Sequence, residues 1–188
     1  MVNGDSNGVG DVFVKDRQTG ETVRISTDGA DTQLSAYSYS QSVSADGQRV
    51  AFTTSSAAIP SDTNSSEDIY VKDLDTGELV RASTASDGTE ADGYSYNQSI
   101  SGDGDHVAFI SAASNLVADD TNGSDEVFVK NLATGVTVRA STSADGSQSD
   151  DPSDGGGLSV PQLSGSGRYV TFYSTANGLV PGPQSSTY

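Results

Sequence analysis

Three acid-rich loops in this sequence carry the oxygen donors that a hard cation wants. They read Asp5-Ser6-Asn7-Gly8-Val9-Gly10-Asp11, Asp62-Thr63-Asn64-Ser65-Ser66-Glu67-Asp68 and Asp120-Thr121-Asn122-Gly123-Ser124-Asp125-Glu126. The shared pattern is Asp-x-Asn-[Gly/Ser]-x-x-[Asp/Glu]. Ca²⁺ takes about six to eight oxygens at short range, and alternating carboxylate and amide oxygens on a tight turn supply them. The candidate ligands are Asp5, Asn7 and Asp11, then Asp62, Asn64 and Asp68, then Asp120, Asn122 and Glu126. The same residues also suit an Asx-turn, in which Asp or Asn bonds its own backbone ahead of a strand. The sequence leaves both readings open.

Other reactive types are sparse. Arg24, Arg81 and Arg139 recur within Val-Arg-x-Ser-Thr and are expected to pair with a carboxylate of a neighbouring repeat. Tyr37, Tyr39, Tyr94 and Tyr96 form two Tyr-Ser-Tyr pairs, suited either to stacking on a sugar or peptide or to packing against the next repeat. His106 is the only histidine, and its counterparts are Arg49 and Tyr169. A position that accepts such unlike side chains reads as surface, not as a general base. With no cysteine and one histidine, Cys-His and Ser-His-Asp nucleophiles and His-rich zinc sites are closed. Among 26 acidic residues no pair stands out as a glycosidase couple. Gly102-Asp103-Gly104 and Gly165-Ser166-Gly167 read as turns, not phosphate loops, because no helix follows them. The expectation is a protein that is not an enzyme.

These groups sit in a unit written three times. Val12-Phe13-Val14-Lys15-Asp16 returns as Ile69-Tyr70-Val71-Lys72-Asp73 and Val127-Phe128-Val129-Lys130-Asn131. Gly20, Gly77 and Gly135 set the period at 57 and then 58 residues. A second block ending in Val50-Ala51-Phe52 returns as Ser99 to Phe109 and as Gln162 to Phe172. The interval from Val107 to Val170 grows to 63 residues through an Asp/Gly-rich insertion at 150–157. The repeats run over about 5–61, 62–119 and 120–182, with a tail at 183–188, in one module spanning 1–188. Each predicts four short strands, exemplified by Ser99-Ile100-Ser101, Val107 to Ile110, Val127 to Lys130 and Val136 to Ser141. Strands two and three are consecutively apolar, as strands buried on both faces are.

The blocks Ser-Ile-Ser-Gly-Asp-Gly-x-x-Val-Ala-Phe at 99–109 and Asp-Ile-Tyr-Val-Lys-Asp-Leu-x-Thr-Gly at 68–77 resemble the WD-like propeller repeats of the TolB type. The resemblance covers nearly the whole chain. It departs at Ser164-Gly165-Ser166-Gly167, where the turn aspartate held by Asp46 and Asp103 is missing. It implies an all-β protein, a β-propeller of four-stranded blades, serving as a binding platform or as an accessory domain beside a catalytic one. Residues 2–5 align with 117–120 and residues 179–182 with 116–119. The sequence therefore opens before strand three of one blade and stops after strand two of another. Three blades fall short of the roughly four to eight that close a ring, so closure by oligomerisation is expected. A homodimer making six blades is favoured, and a homotrimer would make nine; an excised part of a longer propeller is the plainer account.

Composition bounds the partners. Hydrophobic residues are 33% and Gly numbers 21, as in a turn-rich all-β chain. The net charge is −17, which argues against nucleic acid and against anionic membrane surfaces, both of which need basic patches. Strands alternate direction within a blade, so the loops after strands two and four share one face. That face gathers the three Asp-x-Asn loops with Asp28, Asp31, Asp87, Glu90, Asp92, Asp145, Asp150, Asp151 and Asp154. The expectation is an extracellular or cell-surface scaffold that assembles with itself and shows an acidic, Ca²⁺-loaded or simply solvated face to an unidentified ligand. The rivals are an accessory propeller of a secreted hydrolase and an engineered propeller fragment.

Overall fold

A computed structural model describes residues 5–148, 160–176 and 178–180. The insertion at 150–157, with Asp150, Asp151 and Asp154, and the tail at 183–188 lie outside them. The described chain is all-β, with twelve strands in the order β1 (Phe13–Lys15), β2 (Thr22–Arg24), β3 (Ser38–Val43), β4 (Arg49–Thr54), β5 (Asp68–Asp73), β6 (Leu79–Arg81), β7 (Ser95–Ile100), β8 (His106–Ser111), β9 (Glu126–Asn131), β10 (Thr137–Arg139), β11 (Gln162–Leu163) and β12 (Val170–Thr171). Strands β3 to β6 and β7 to β10 form two four-stranded antiparallel meanders. Strands β1 and β2 pair alone, as do β11 and β12. The chain thus holds two full blades between an outer half-blade at one end and an inner half-blade at the other.

Local chemistry explains the meanders. The turn from β5 to β6 is closed by Asp73, whose carboxylate accepts from the amides of Asp75 and Thr76. Gly77 follows at φ +74°, a left-handed conformation that a side chain would strain. Asp16 and Asn131 do the same work in the other two copies. At the β3–β4 turn, Ser44 Oγ accepts from Arg49 N, and Ser101 does so from His106 N. The copy lacking the turn aspartate keeps this bond, Tyr169 N to Ser164 Oγ at 3.0 Å, and its two strands still pair.

The first strand of each full blade is longer than the sequence indicates. Strand β7 starts at Ser95, and its register against β8 shifts between Tyr96 and Ser99. Asn97 sits there at φ +53° and Ser40 at φ +50° in the equivalent place. The irregularity lets Tyr39 and Tyr96 lie within the strand instead of ahead of it.

The double burial of strands two and three holds. Val50, Ala51 and Phe52 are buried in β4, and Val107, Ala108, Phe109 and Ile110 in β8. Odd and even residues serve different blades. Ile69 and Val71 of β5 meet Val107, Phe109 and Phe128 of the next blade, while Phe52 and Tyr70 meet Val12, Ile25 and Leu34 of the first half-blade. Strand β11 packs on β7 and β8. The ends differ from the middle. Phe13 is 39% exposed, whereas its counterparts Tyr70 and Phe128 are fully buried. Val14 and Val129 are partly uncovered where Val71 is not. At each end of the described residues these positions are thus less covered than their counterparts between the two full blades.

Candidate functional site

The acid loops close around arginine. Arg81, on edge strand β6, is 4% exposed at its side chain and lies 3.5 Å from Asp62, 3.5 Å from Asp68 and 2.8 Å from Glu90. Its second nitrogen donates to the Ser61 carbonyl at 3.0 Å. Arg139 repeats this with Glu126 at 3.0 Å and Asp120 at 3.9 Å, and Arg24 with Asp11 at 3.5 Å and Asp5 at 3.7 Å. The first and last acids of each loop therefore face a guanidinium of the same blade. The pairing is within a blade, not across to a neighbouring one as the sequence suggested. Edge strand four lies directly beside strand three, which carries the last acid, and this adjacency brings the partners together.

The central asparagines turn the loops. Asn64 Oδ1 accepts from Ser66 N at 2.7 Å, Asn7 Oδ1 from Val9 N and Asn122 Oδ1 from Ser124 N. Asn7 and Asn64 donate their amides to the carbonyls of Leu34 and Ala91. These are Asx-turn bonds two residues on. Among the described residues, no group of three or more His, Cys, Asp or Glu side chains stands where it could hold a metal ion. The nine residues of the calcium reading are placed as turn and ion-pair partners.

A fourth position completes each cluster; sequence reasoning named its acidic member, Glu90, and passed over Gln33 and Gln148. Gln33, Glu90 and Gln148 stand 57 and 58 residues apart. Gln33 donates to Asp5 and Asp11, Gln148 to Asp120 and Glu126, and Glu90 accepts from Arg81 and from Thr63. The period was the available signal; the change between amide and acid hid it. Serine of the Val-Arg-x-Ser-Thr motif adds a further bond, since Ser26 and Ser83 donate to Asp11 and Asp68.

Protonation follows this geometry. The Thr63 hydroxyl and amide, with Arg81, hold Glu90 down at about 2. Burial pushes Asp68 up, opposed by Ser83 and Arg81. Burial and the neighbouring Glu126 push Asp120 up as well. The chain thus spends buried carboxylates on fixing a guanidinium, where a pair must be well bonded to repay its desolvation. Ca²⁺ and Mg²⁺ at matched ionic strength should then raise the melting temperature equally, by screening alone. A larger Ca²⁺ shift, lost in Asp62→Ala with Asn64→Ala, would favour the calcium reading over the turn reading.

The tyrosines tie strand one to these loops. Tyr94 and Tyr96 both donate to Asp125, at 3.3 and 2.7 Å, with their rings 5.7 Å apart. Burial and Glu67 raise the Tyr39 phenol, and burial and Asp125 raise that of Tyr96. Tyr37 remains 63% exposed with its ring edge beside Gly10 of the preceding half-blade. The loops after strands two and four do meet on one face, as the Thr63–Glu90 and Thr121–Gln148 bonds show. His106 lies elsewhere, at the opposite turns. Its Nε2 is 2.9 Å from Asn131 Nδ2, and its ring packs against Gly167.

No family model and no curated protein matches this sequence. Solved structures do. The chain is similar to a prolyl endopeptidase structure at 16% identity and a TM-score of 0.51, covering 86% of this chain and 22% of that one. It is also similar to putative TolB from Agrobacterium tumefaciens, at 18% identity and a TM-score of 0.47, covering 87% and 49%. The β-propeller domain of the Trilobed protease from Pyrococcus furiosus aligns at 14% identity and 0.44, covering 73% and 34%. The chain spans about half the length of the TolB structure and about a fifth of the endopeptidase. At such identities the likeness is one of fold. The four-stranded antiparallel meanders packed face to face are those of a β-propeller module, and the endopeptidase likeness agrees with that fold.

Proposed function

We propose that this module is a non-enzymatic scaffold, secreted or displayed at a cell surface, that associates with copies of itself into a closed ring and presents its acid-rich face to a ligand. The observation that carries the reading is the pair of open half-blades. Among the described residues, strands β1 and β12 each end a sheet of two strands, where both full blades continue to four. The faces beside them leave Phe13, Tyr169 and Tyr173 at 39%, 62% and 56% exposure. Exposed apolar faces beside unpaired strand edges are templates for association. The acid-rich face supports the binding half of the proposal more loosely. Its inner carboxylates are taken up by Arg24, Arg81 and Arg139, so a ligand would meet the outer ones and the tyrosines above Glu67 and Asp125. Mass in solution tests the reading. Two copies of the 19.2 kDa chain are expected, and a stable monomer at every concentration would overturn it.

A further inference from the structure

We infer that the half-blades complete each other between copies, with β12 of one copy lying along β1 of a second in the register that both full blades already use. The inference rests on the self-association proposed above and specifies its seam. In the first full blade β4 pairs with β5 from Arg49↔Asp73 to Thr54↔Asp68, and in the second β8 pairs with β9 from His106↔Asn131 to Ser111↔Glu126. Carried along the repeat, the seam pairs Tyr169 with Asp16, Val170 with Lys15, Thr171 with Val14 and Phe172 with Phe13 of the second copy. Phe172 then stacks on that Phe13 as Phe52 does on Tyr70, at 6.0 Å and 29°, and Phe109 on Phe128, at 5.9 Å and 29°.

Three further features fit the same docking. The first is a groove. Between the two full blades it measures 140 Å³ and contains Arg49, whose Cδ would lie 3.1 Å from a Cβ on Gly104. Between β1–β2 and the first full blade the matching groove, lined by Val14, Lys15, Gly47 and Leu74, opens to 590 Å³. Nothing lies within 4 Å of a Cβ on Gly47. His106 covers Gly167 in the same manner. The next residue in the series is Tyr169, 62% exposed, and the docking lays it over Gly47 of the second copy.

The second feature is a lysine. Lys72 is buried and reaches the Asp28 carbonyl and the Asp31 carboxylate of the preceding blade's loop. Lys130 is buried too and reaches the carbonyls of Thr84 and Ala85. Their counterpart Lys15 is exposed, with a local bond to the Gly20 carbonyl. In the docked pair it meets the carbonyls of Thr142 and Ser143 of the other copy, which stand at the repeat positions of Thr84 and Ala85. The third feature is the sheet face. Val129 of β9 is partly uncovered, whereas its counterpart Val71 is buried against the next full blade, and the second copy's β1–β2 would come to rest on that side.

The chain has no cysteine, so a designed disulfide reads the register cleanly. Leu74 N bonds Gln48 O and Leu132 N bonds Asp105 O just beyond the two ladders. Bonded pairs alternate from there, so Ala51↔Val71 and Ala108↔Val129 are non-hydrogen-bonded pairs, whose side chains stand closest. The equivalent seam pair is Thr171 with Val14. On oxidation, Thr171→Cys with Val14→Cys should run mostly as a covalent oligomer of closed size, two copies in the favoured ring, and revert with reductant. Thr171→Cys with Phe13→Cys, slipped by one residue onto opposite faces, should not cross-link. A cross-linked monomer would mean that β12 meets its own β1, and would overturn the pairing between copies. Equal cross-linking of both variants, or of neither, in a protein whose native mass is oligomeric would overturn the register and leave self-association standing. An uncross-linked native monomer would overturn both.

Discussion

Replacing Arg81 by Met should destabilise the protein by about 3–5 kcal/mol, the loss expected when one partner of a buried ion pair is removed. Asp62 and Asp68 are 2% and 0% exposed at their side chains and would be left facing each other with no cation. Stabilities of such domains are commonly about 5–15 kcal/mol, so the loss is large, and the urea midpoint reads it. Arg24→Met should lose less, because Asp5 is 41% exposed at its side chain and water can take over part of the role. Asp68, already pushed up by burial, loses the Arg81 charge that opposes the rise and binds a proton more readily folded than unfolded. The variant's deficit is therefore greatest at neutral pH and smaller as the pH falls through the folded value of Asp68. A deficit under about 1 kcal/mol at neutral pH would mean that the arginine clusters do not hold the loops.

The second large effect belongs to the seam. Phe172→Asp should dissociate the ring into single chains. It removes an aromatic stack and sets a carboxylate against Phe13 of the other copy. Burial of an aromatic side chain is worth about 3–5 kcal/mol by truncation, so about 4 kcal/mol at each of the two seams of a two-copy ring raises the dissociation constant roughly a millionfold. Val136→Glu is the control. Val136 is also exposed, at 47%, but its repeat counterparts are Glu21 and Glu78, so an acid there suits the blade. Dissociation by both variants, or by neither, would contradict a seam centred on Phe172.

Much of the fold was legible because repetition copies structure as well as letters. The consecutive apolar residues around Phe52 and Phe109 announced strands buried on both faces, and both are so buried. The recurring Gly77 and Gly135 marked the repeat, and each closes a hairpin together with Asp73 or Asn131. What stayed hidden depends on partners distant in sequence. Tyr39 and Tyr96 looked like loop residues because the positive φ at Ser40 and Asn97 that extends each strand has no letter of its own. The acid loops offered donors for a cation, and the cation facing them is a side chain. Arg81 lies 13 residues beyond Asp68, and hairpin pairing of β5 with β6, not spacing, joins them. The calcium reading and the turn reading used the same residues, and only geometry shows Asn64 bonding Ser66.

The mass of the unmodified chain in solution tests the central claim most directly. Light scattering should be run over a dilution series in enough salt to screen the charge of −17 per chain. A closed ring predicts a plateau at two copies of 19.2 kDa, with no growth at high concentration, because a ring that closes leaves no free edge. A mass of one copy across the series, or one that climbs without limit, would contradict it.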